Sequence, residues 1–118
     1  MKPKTTRPAL LQGTLDLLVL RTLSWGPRHG YAVARWIKAT SDDALTVEDR
    51  ALYLSLHRLE ERGWIESEWG LSDTNRRARF YQLTPSGRRR LRAQVARWER
   101  YAQAVAKIIH APGERVSA

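Results

Sequence analysis

The sequence predicts a mainly α-helical domain that carries one small β-hairpin and ends in a long C-terminal helix. Three observations lead to this fold class. Apolar residues recur with helical spacing through most of the 118-residue chain. Across residues 64–83 the spacing changes to the alternation of strands, with a run of turn-forming residues in the middle. Beyond residue 85 an apolar stripe follows heptad spacing almost to the end of the chain.

The composition predicts one globular domain with an anionic partner. Apolar residues make up 42% of the chain, and 21 lysines and arginines against 12 acidic residues give a net charge of +9. A charge of this size on a small domain indicates nucleic acid or an anionic membrane surface as the partner. Because the chain has no cysteine and three dispersed histidines, we expect no disulfide, no metal site and no other cofactor.

We expect a cytoplasmic protein without a membrane segment. Asp16 and Arg21 interrupt the most hydrophobic stretch, so no apolar run reaches the length of a membrane span. The basic N-terminus is not followed by the cleavage pattern of a signal peptide. Residues 1–9 combine prolines with basic side chains and are expected to form a flexible arm.

Residues 10–25 form the first predicted helix. Leucines lie nearly all round this helix, and Leu11, Leu15 and Leu18 share one stripe. A helix that is apolar on more than one side is buried on more than one side. We therefore expect it to contact both the protein's own core and a second copy of the chain.

Residues 30–40 and 47–63 form the next two predicted helices. In the second of these, leucines at positions 52, 56 and 59 have the spacing of a core-facing side, while Arg50, Leu54 and Arg58 recur on the opposite side. Thr46 is expected to cap the helix with Asp49 reciprocating, and Gly63 to end it. Two helices joined by a short link, the second with a basic outer side, form a helix-turn-helix pattern.

A basic hairpin follows the helix-turn-helix. Residues 64–69 and 79–83 have the composition of strands, and the turn-forming residues 70–77 connect them. Arg76, Arg77 and Arg79 lie at the turn end of this hairpin. A helix-turn-helix followed by a basic hairpin is the layout of a winged helix, and we assign this domain to residues 10–84.

Residues 85–110 form the last predicted helix, with Thr84 as its cap and Pro85 in its first turn. A complete winged helix leaves little of its own surface to cover the apolar stripe on this helix, so we expect a homodimer. Residues 111–118 are expected to be a disordered tail. The predicted dimer interface consists of Leu11, Leu15, Leu18, Leu91, Val95, Trp98, Ala102, Val105 and Ile109.

Three segments together resemble the PadR family of transcriptional regulators. They are LLQGTLDLLVLRTLSWGPRHGY, LYLSLHRLEERGWIESEWG and NRRARFYQLTPSGRRRL, in the family's order and spacing between Leu10 and Leu91. The single C-terminal helix is similar to that of the short subfamily. The resemblance implies a homodimeric winged-helix repressor that binds double-stranded DNA. With the positions of the arginines, it gives an expected set of DNA contacts: Tyr31, Arg50, Ala51, Tyr53, Leu54, Arg58, Arg76, Arg77 and Arg79.

The third helix departs from the family pattern on the side expected to meet DNA. Where relatives have a sequence such as GSLYPAL, this chain has Arg50, Ala51 and Leu54 in place of the glycine, the hydroxyl residue and the proline. Two hypotheses therefore stay open. One is a sequence-specific repressor on an inverted-repeat operator; the other is an interaction module that binds nucleic acid nonspecifically or a protein partner.

Trp98 also has two interpretations. It lies at the centre of the apolar stripe, where it is either an interface aromatic or the wall of a pocket for a small aromatic or hydrophobic effector. The sequence contains no paired carboxylates in a plausible cleft, no nucleophile with a base and no phosphate-binding glycine loop, so we do not expect an enzyme.

Overall fold

The computed structural model describes residues 12–113 as four helices and a small three-stranded sheet, and the predicted winged helix with a long C-terminal helix is confirmed. The predicted arm, most of the predicted tail and Leu11 lie outside the described residues. The elements are α1 (Gln12–Leu23), β1 (Arg28–His29), α2 (Gly30–Thr40), α3 (Asp49–Glu61), β2 (Ile65–Leu71), β3 (Arg77–Leu83) and α4 (Pro85–Ile109).

Helix α1 lies at the centre of the domain. Its residues Val19, Leu20 and Leu23 have no exposed surface, because α2, α3, α4 and the sheet all pack around it. Burial of each such side chain contributes about 1.5–3 kcal/mol to folding. The leucines predicted to face the core from α3 do so, at positions 52, 56 and 59. Helix α1 ends at Leu23, two residues before the predicted boundary, and Gly26 follows with a positive φ of 136°.

Helix α3 begins later than predicted and is capped differently. Its N-cap is Glu48, which makes no side-chain capping bond, and not Thr46 as predicted. Val47 is buried in the core instead of belonging to the helix. Gly63 terminates the helix as predicted, because it adopts φ +75° and its N–H donates to the Glu60 carbonyl oxygen.

The sheet is antiparallel with strand order β1-β3-β2. Strand β1 has only two residues, and so short a strand leaves no periodicity in the sequence to predict it. Strands β2 and β3 extend two residues further than predicted on the turn side, so that Leu71 pairs with Arg77 and Trp69 with Arg79. We call β2, β3 and their turn the wing. Gly70 fits within β2 because the Phe80 ring lies where a larger residue would place its side chain.

Helix α4 starts against the base of the wing and then extends away from the domain. The Thr84 hydroxyl accepts a hydrogen bond from the Gly87 N–H, as predicted for an N-cap, and donates one to the Gly63 carbonyl oxygen. A side chain at position 87 would collide with the Trp64 carbonyl oxygen, so glycine lets α4 pack closely there. Beyond its first turns the helix has little cover from its own chain.

Candidate nucleic-acid interface

The exposed side of α3 is formed by Arg50, Tyr53, Leu54 and His57, and we call it the outer face of α3. Tyr53 and Leu54 expose 50% and 49% of their surface. Their spacing of i, i+3, i+4 and i+7 places all four on one side of the helix. The predicted side contained Arg50, Leu54 and Arg58. The structure keeps Arg50 and Leu54 on it and adds Tyr53 and His57, while Arg58 is turned away.

Arg58 belongs to an internal ion pair instead of the outer face. Its Nη2 donates to Asp16 Oδ1 at 2.7 Å and its Nε to Asp16 Oδ2 at 3.3 Å. The buried Ser55 hydroxyl donates to the same Oδ1 at 2.6 Å. Together these bonds tie α3 to α1. Arg58 is therefore removed from the expected DNA contacts, because its guanidinium is already bound to a carboxylate.

Ala51 also requires correction. It is half-buried and packs against the core cluster, so it does not present its methyl group on the outer face of α3. Ser55, one turn later on the same side, is also turned inward, where its hydroxyl bonds Asp16 of α1. Of the three departures from the family pattern, Arg50 and Leu54 are exposed and Ala51 is not.

The three wing arginines have different surroundings. Arg76 and Arg77 are exposed, and the Arg77 guanidinium carbon lies 4.4 Å from the centroid of the Trp69 ring. Arg79 is bound on two sides, with Nη2 3.5 Å from Glu60 of α3 and Nε donating to the Ser67 hydroxyl at 2.8 Å. Arg79 therefore joins the wing to α3, while Arg76 and Arg77 point their charge to solvent.

A cleft of about 400 Å³ separates the wing from the helices, and we call it the wing cleft. The phenol of Tyr53 borders it and lies directly over Gly30, where a Cβ would be 2.6 Å from the hydroxyl oxygen. Glycine at position 30 thus makes room for Tyr53. The lining residues are His29, Gly30, Tyr31, Tyr53, Trp69, Arg77, Ala78, Arg79 and Tyr81.

The aromatic residues at the wing cleft have fixed surroundings. His29 caps α2 through Nδ1, which accepts a hydrogen bond from the Ala32 N–H at 3.2 Å. Tyr31 is exposed, with its ring parallel to His29 and the Arg35 guanidinium 5.0 Å away. Burial raises the pKa of Tyr81 above its usual 10.0, against the lowering effect of nearby Arg79. No sequence pattern singled out Trp69, because only the strand register places it beside Arg77.

The apolar stripe of α4 is exposed in its outer half. Trp98, Val105 and Ile109 are exposed as an uncovered stripe requires, and Tyr101 and Ile108 extend the apolar surface. Ala102, Val95 and Leu18 are half-buried. Two members need correction: Leu15 and Leu91 are buried in the protein's own core, with 3% and 6% exposed, and have almost no surface left for a partner.

A groove of about 540 Å³ runs between α1 and α4. The indole of Trp98 and the phenol of Tyr101 border it, with their ring centroids 6.0 Å apart. Leu17 of α1 lines the opposite side. Polar groups are present as well, since the remaining lining residues are Gly13, Thr14, Arg90, Gln94 and Arg97.

Within residues 12–113, no helix is long and apolar enough to cross a membrane. The same residues contain no group of three or more His, Asp or Glu side chains that could hold a metal ion.

Comparison with known proteins gives consistent results. The model of the Transcriptional regulator PadR-like family matches residues 19–93. A PadR family transcriptional regulator from Eggerthella lenta is 32% identical, with a TM-score of 0.70 and coverage of 85% of both chains. A transcriptional regulator from Clostridium thermocellum is 28% identical, with a TM-score of 0.74 over 81% of this chain and 93% of that one. An uncharacterized protein of Lysinibacillus sphaericus is 29% identical over 78% of this chain and 84% of its own length.

Proposed function

Because the chain belongs to the PadR-like family of transcriptional regulators, we propose that it is a repressor that binds a specific duplex operator as a homodimer. Members of this family are transcription factors and not enzymes. The operator is an inverted repeat, and the regulator acts on it in the cytoplasm. Binding of a small aromatic or hydrophobic effector releases the DNA.

One observation carries the proposal: the outer face of α3 and the wing present three arginines that form no ion pair with a carboxylate of residues 12–113. The ion pairs found within residues 12–113 join Arg58 to Asp16 and Arg79 to Glu60, and His57 Nε2 lies 3.4 Å from Glu61 Oε2. Arg50, Arg76 and Arg77 take part in none of them and are exposed. Unpaired guanidinium groups on a helix and an adjacent wing suit a duplex, whose phosphates attract them while the helix enters the major groove.

The apolar stripe of α4 supports the dimer. Trp98, Val105 and Ile109 expose apolar surface along one side of a helix whose own domain cannot cover it. A second α4 with the same heptad spacing would bury that surface. The two copies of α3 then lie about 34–36 Å apart, which is one turn of DNA and sets the spacing of the half-sites.

The groove between α1 and α4 supports the effector. Its aromatic side chains, Trp98 and Tyr101, offer stacking surfaces for a flat ligand. Helix α1 lines this groove with Leu17 and holds α3 through Asp16. A ligand that moves α1 would therefore change the position of α3, which is how we expect effector binding to weaken operator binding.

Selection of bound fragments from random and genomic duplexes tests the proposal. We expect enrichment of one inverted repeat and binding at nanomolar protein, with an affinity that falls steeply as salt rises. A duplex with the same composition in scrambled order is the control. Equal affinity for the selected and the scrambled duplex would contradict a sequence-specific repressor.

A second candidate is an interaction module that binds nucleic acid without sequence preference. The observation that favours it is Leu54, which exposes 49% of its surface at the centre of the outer face of α3. A leucine contacts a thymine methyl but forms no hydrogen bond with a base edge. This module would bind all duplexes with similar affinity and with an equally steep dependence on salt.

A further inference from the structure

Trp69 is an exposed tryptophan in the middle of the wing. It exposes 56% of its surface and is not part of the core cluster. Cross-strand pairing joins Leu71 to Arg77 and Trp69 to Arg79, so all four side chains lie on one face of the hairpin. The Trp69 ring is 4.4 Å from the Arg77 guanidinium carbon and 5.8 Å from that of Arg79. Trp69 therefore contacts both arginines that line the wing cleft.

The two arginines differ in their charge environment. Arg79 is bound to Glu60, and the Ser67 hydroxyl donates to the same Glu60 oxygen at 2.7 Å, so a carboxylate offsets the charge of Arg79. Arg77 takes part in no ion pair found within residues 12–113, and its contact at close range is the Trp69 ring. Cation–π attraction holds a guanidinium in place without neutralising it. The charge of Arg77 therefore remains available to an anion, while the Trp69 ring restricts the conformations of its side chain.

Among the described residues, those that line the wing cleft include hydrogen-bond donors and no anionic group. Beside Arg77 they include the exposed phenols of Tyr31 and Tyr53, and no carboxylate or amide side chain. An amide side chain is the usual partner of adenine and a carboxylate that of cytosine, and neither type lines the cleft. Guanine presents two acceptors, which one guanidinium already fills, whereas a phosphate presents several oxygens and no donor. The guanidinium and the two phenols of the cleft therefore match a backbone phosphate better than a base edge.

We infer that Trp69 is a positioning residue that holds Arg77 at the wing cleft, where Arg77, Tyr31 and Tyr53 bind one phosphate of the DNA backbone. This inference rests on the proposed function, because it specifies how the wing contacts the duplex. Trp69 itself does not touch the phosphate. Its ring fixes the guanidinium before DNA arrives, so less conformational entropy is lost when the contact forms.

The experiment compares the salt dependence of binding of four proteins: wild type, Arg77→Ala, Trp69→Leu and the double variant. Dissociation constants for the selected duplex are measured between about 50 and 200 mM salt. Loss of one phosphate contact lowers the slope of log affinity against log salt by about one. We expect this decrease in Arg77→Ala, a similar decrease in Trp69→Leu although no charge is removed, and no further decrease in the double variant.

Two variants separate positioning from a general structural effect. Trp69→Tyr keeps an aromatic face for Arg77, so we expect a slope close to that of the wild type. Trp25→Leu is the matched control. Trp25 is 59% exposed and has the Arg21 guanidinium 4.9 Å from its ring, but it lies just after α1 and does not line the wing cleft. This variant should leave the slope unchanged. Thermal melts monitored by circular dichroism establish that each variant is folded.

The outcomes distinguish this inference from the proposed function. A wild-type slope in Trp69→Leu, or additive losses in the double variant, would overturn the role of Trp69 while the repressor remains. Equal affinity for selected and scrambled duplexes would contradict the repressor, and the slopes would still test the phosphate contact, since it needs no particular sequence. As a second measurement, we expect one neutral methylphosphonate at the contacted phosphate to lower the slope for the wild type and not for Trp69→Leu.

Discussion

The molecule has two exposed surfaces that differ in chemical composition: one is basic and aromatic, and the other is apolar. The outer face of α3 and the wing interleave guanidinium groups with aromatic rings, as at Arg77 and Trp69. The outer half of α4 instead exposes apolar side chains in a continuous stripe, with Ile109 67% exposed. The first surface is hydrated by itself, and its charge suits an anionic partner. The second exposes apolar area to water, which the proposed second chain would cover.

The comparison shows that the same residue type has different roles according to its neighbours. Arg50 and Arg58 lie two turns apart on α3, and both belong to the basic side predicted from the sequence. Asp16 of α1 binds Arg58 through two nitrogens, whereas Arg50 has no such partner among the described residues. One arginine therefore stabilises the position of α3, and the other remains available to an anion. Mutations on the two surfaces should separate assembly, DNA binding and stability.

The largest effect should come from a charge in the apolar stripe. Trp98→Glu places a carboxylate where the partner helix would pack, so we expect monomers in sedimentation velocity experiments. Operator affinity should fall by about 100-fold or more, because the two half-sites are then no longer bound by one linked unit. Gln103→Glu adds the same charge to an exposed position outside the stripe and is the control. A dimeric Trp98→Glu, or a monomeric wild type, would exclude this interface.

The next effect concerns base contact by α3. Replacement of Arg50 by alanine should raise the operator dissociation constant by about 10-fold to 100-fold and relax the preference at one base pair. Stability should change by less than about 0.5 kcal/mol, since Arg50 is exposed. Titrations with the selected duplex and with single-base variants measure both quantities. Arg62→Ala, which removes the same charge at the other end of α3, should have a much smaller effect on base preference.

Arg58→Ala tests the arginine of α3 that is paired with Asp16. It leaves Asp16 without its ion-pair partner in a half-buried position, so we expect a loss of about 1–2 kcal/mol in the free energy of unfolding. Urea denaturation at fixed protein concentration measures this loss. The salt slope of DNA binding should stay at the wild-type value. A decrease of about one in that slope, with unchanged stability, would instead return Arg58 to the set of phosphate contacts.

The smallest effect is a pH dependence that originates at Tyr81. Burial raises the pKa of this phenol above 10.0, so the folded state favours the neutral form. Above pH 10 the unfolded chain ionises first, and stability should fall as pH rises toward the folded-state pKa. Tyr81→Phe should weaken this alkaline decrease, which thermal melts across the pH range would reveal. An identical decrease in both proteins would assign it to other groups.

Much of the fold was predictable from local patterns in the sequence. Helix α2 has the predicted bounds, and Thr84 caps α4 as its position before Pro85 indicates. These features depend on residues that are near neighbours along the chain, where spacing and capping chemistry act directly. The exposed outer half of α4 also agrees with the heptad pattern. Strand β1 was missed because its partner, β3, lies about 50 residues further along.

The candidate interface was only partly predictable. The exposed Arg50, Arg76 and Arg77 follow from their elements, whereas the pairing of Arg58 with Asp16 spans 42 residues and that of Arg79 with Glu60 crosses from wing to helix. Leu15 and Leu91 appear on the predicted dimer surface because periodicity alone does not distinguish burial in one chain from burial between two.

Local patterns in the sequence are enough to predict the helices, the hairpin, the basic character of the helix and wing, and the heptad stripe of α4. These features follow from short-range spacing and from composition. The packed structure is needed to show which arginines lack a carboxylate partner among the described residues, which leucines are already covered, and that Trp69 lies against Arg77 at the wing cleft. Those properties depend on helix rotation and strand register, which are set when distant segments pack together.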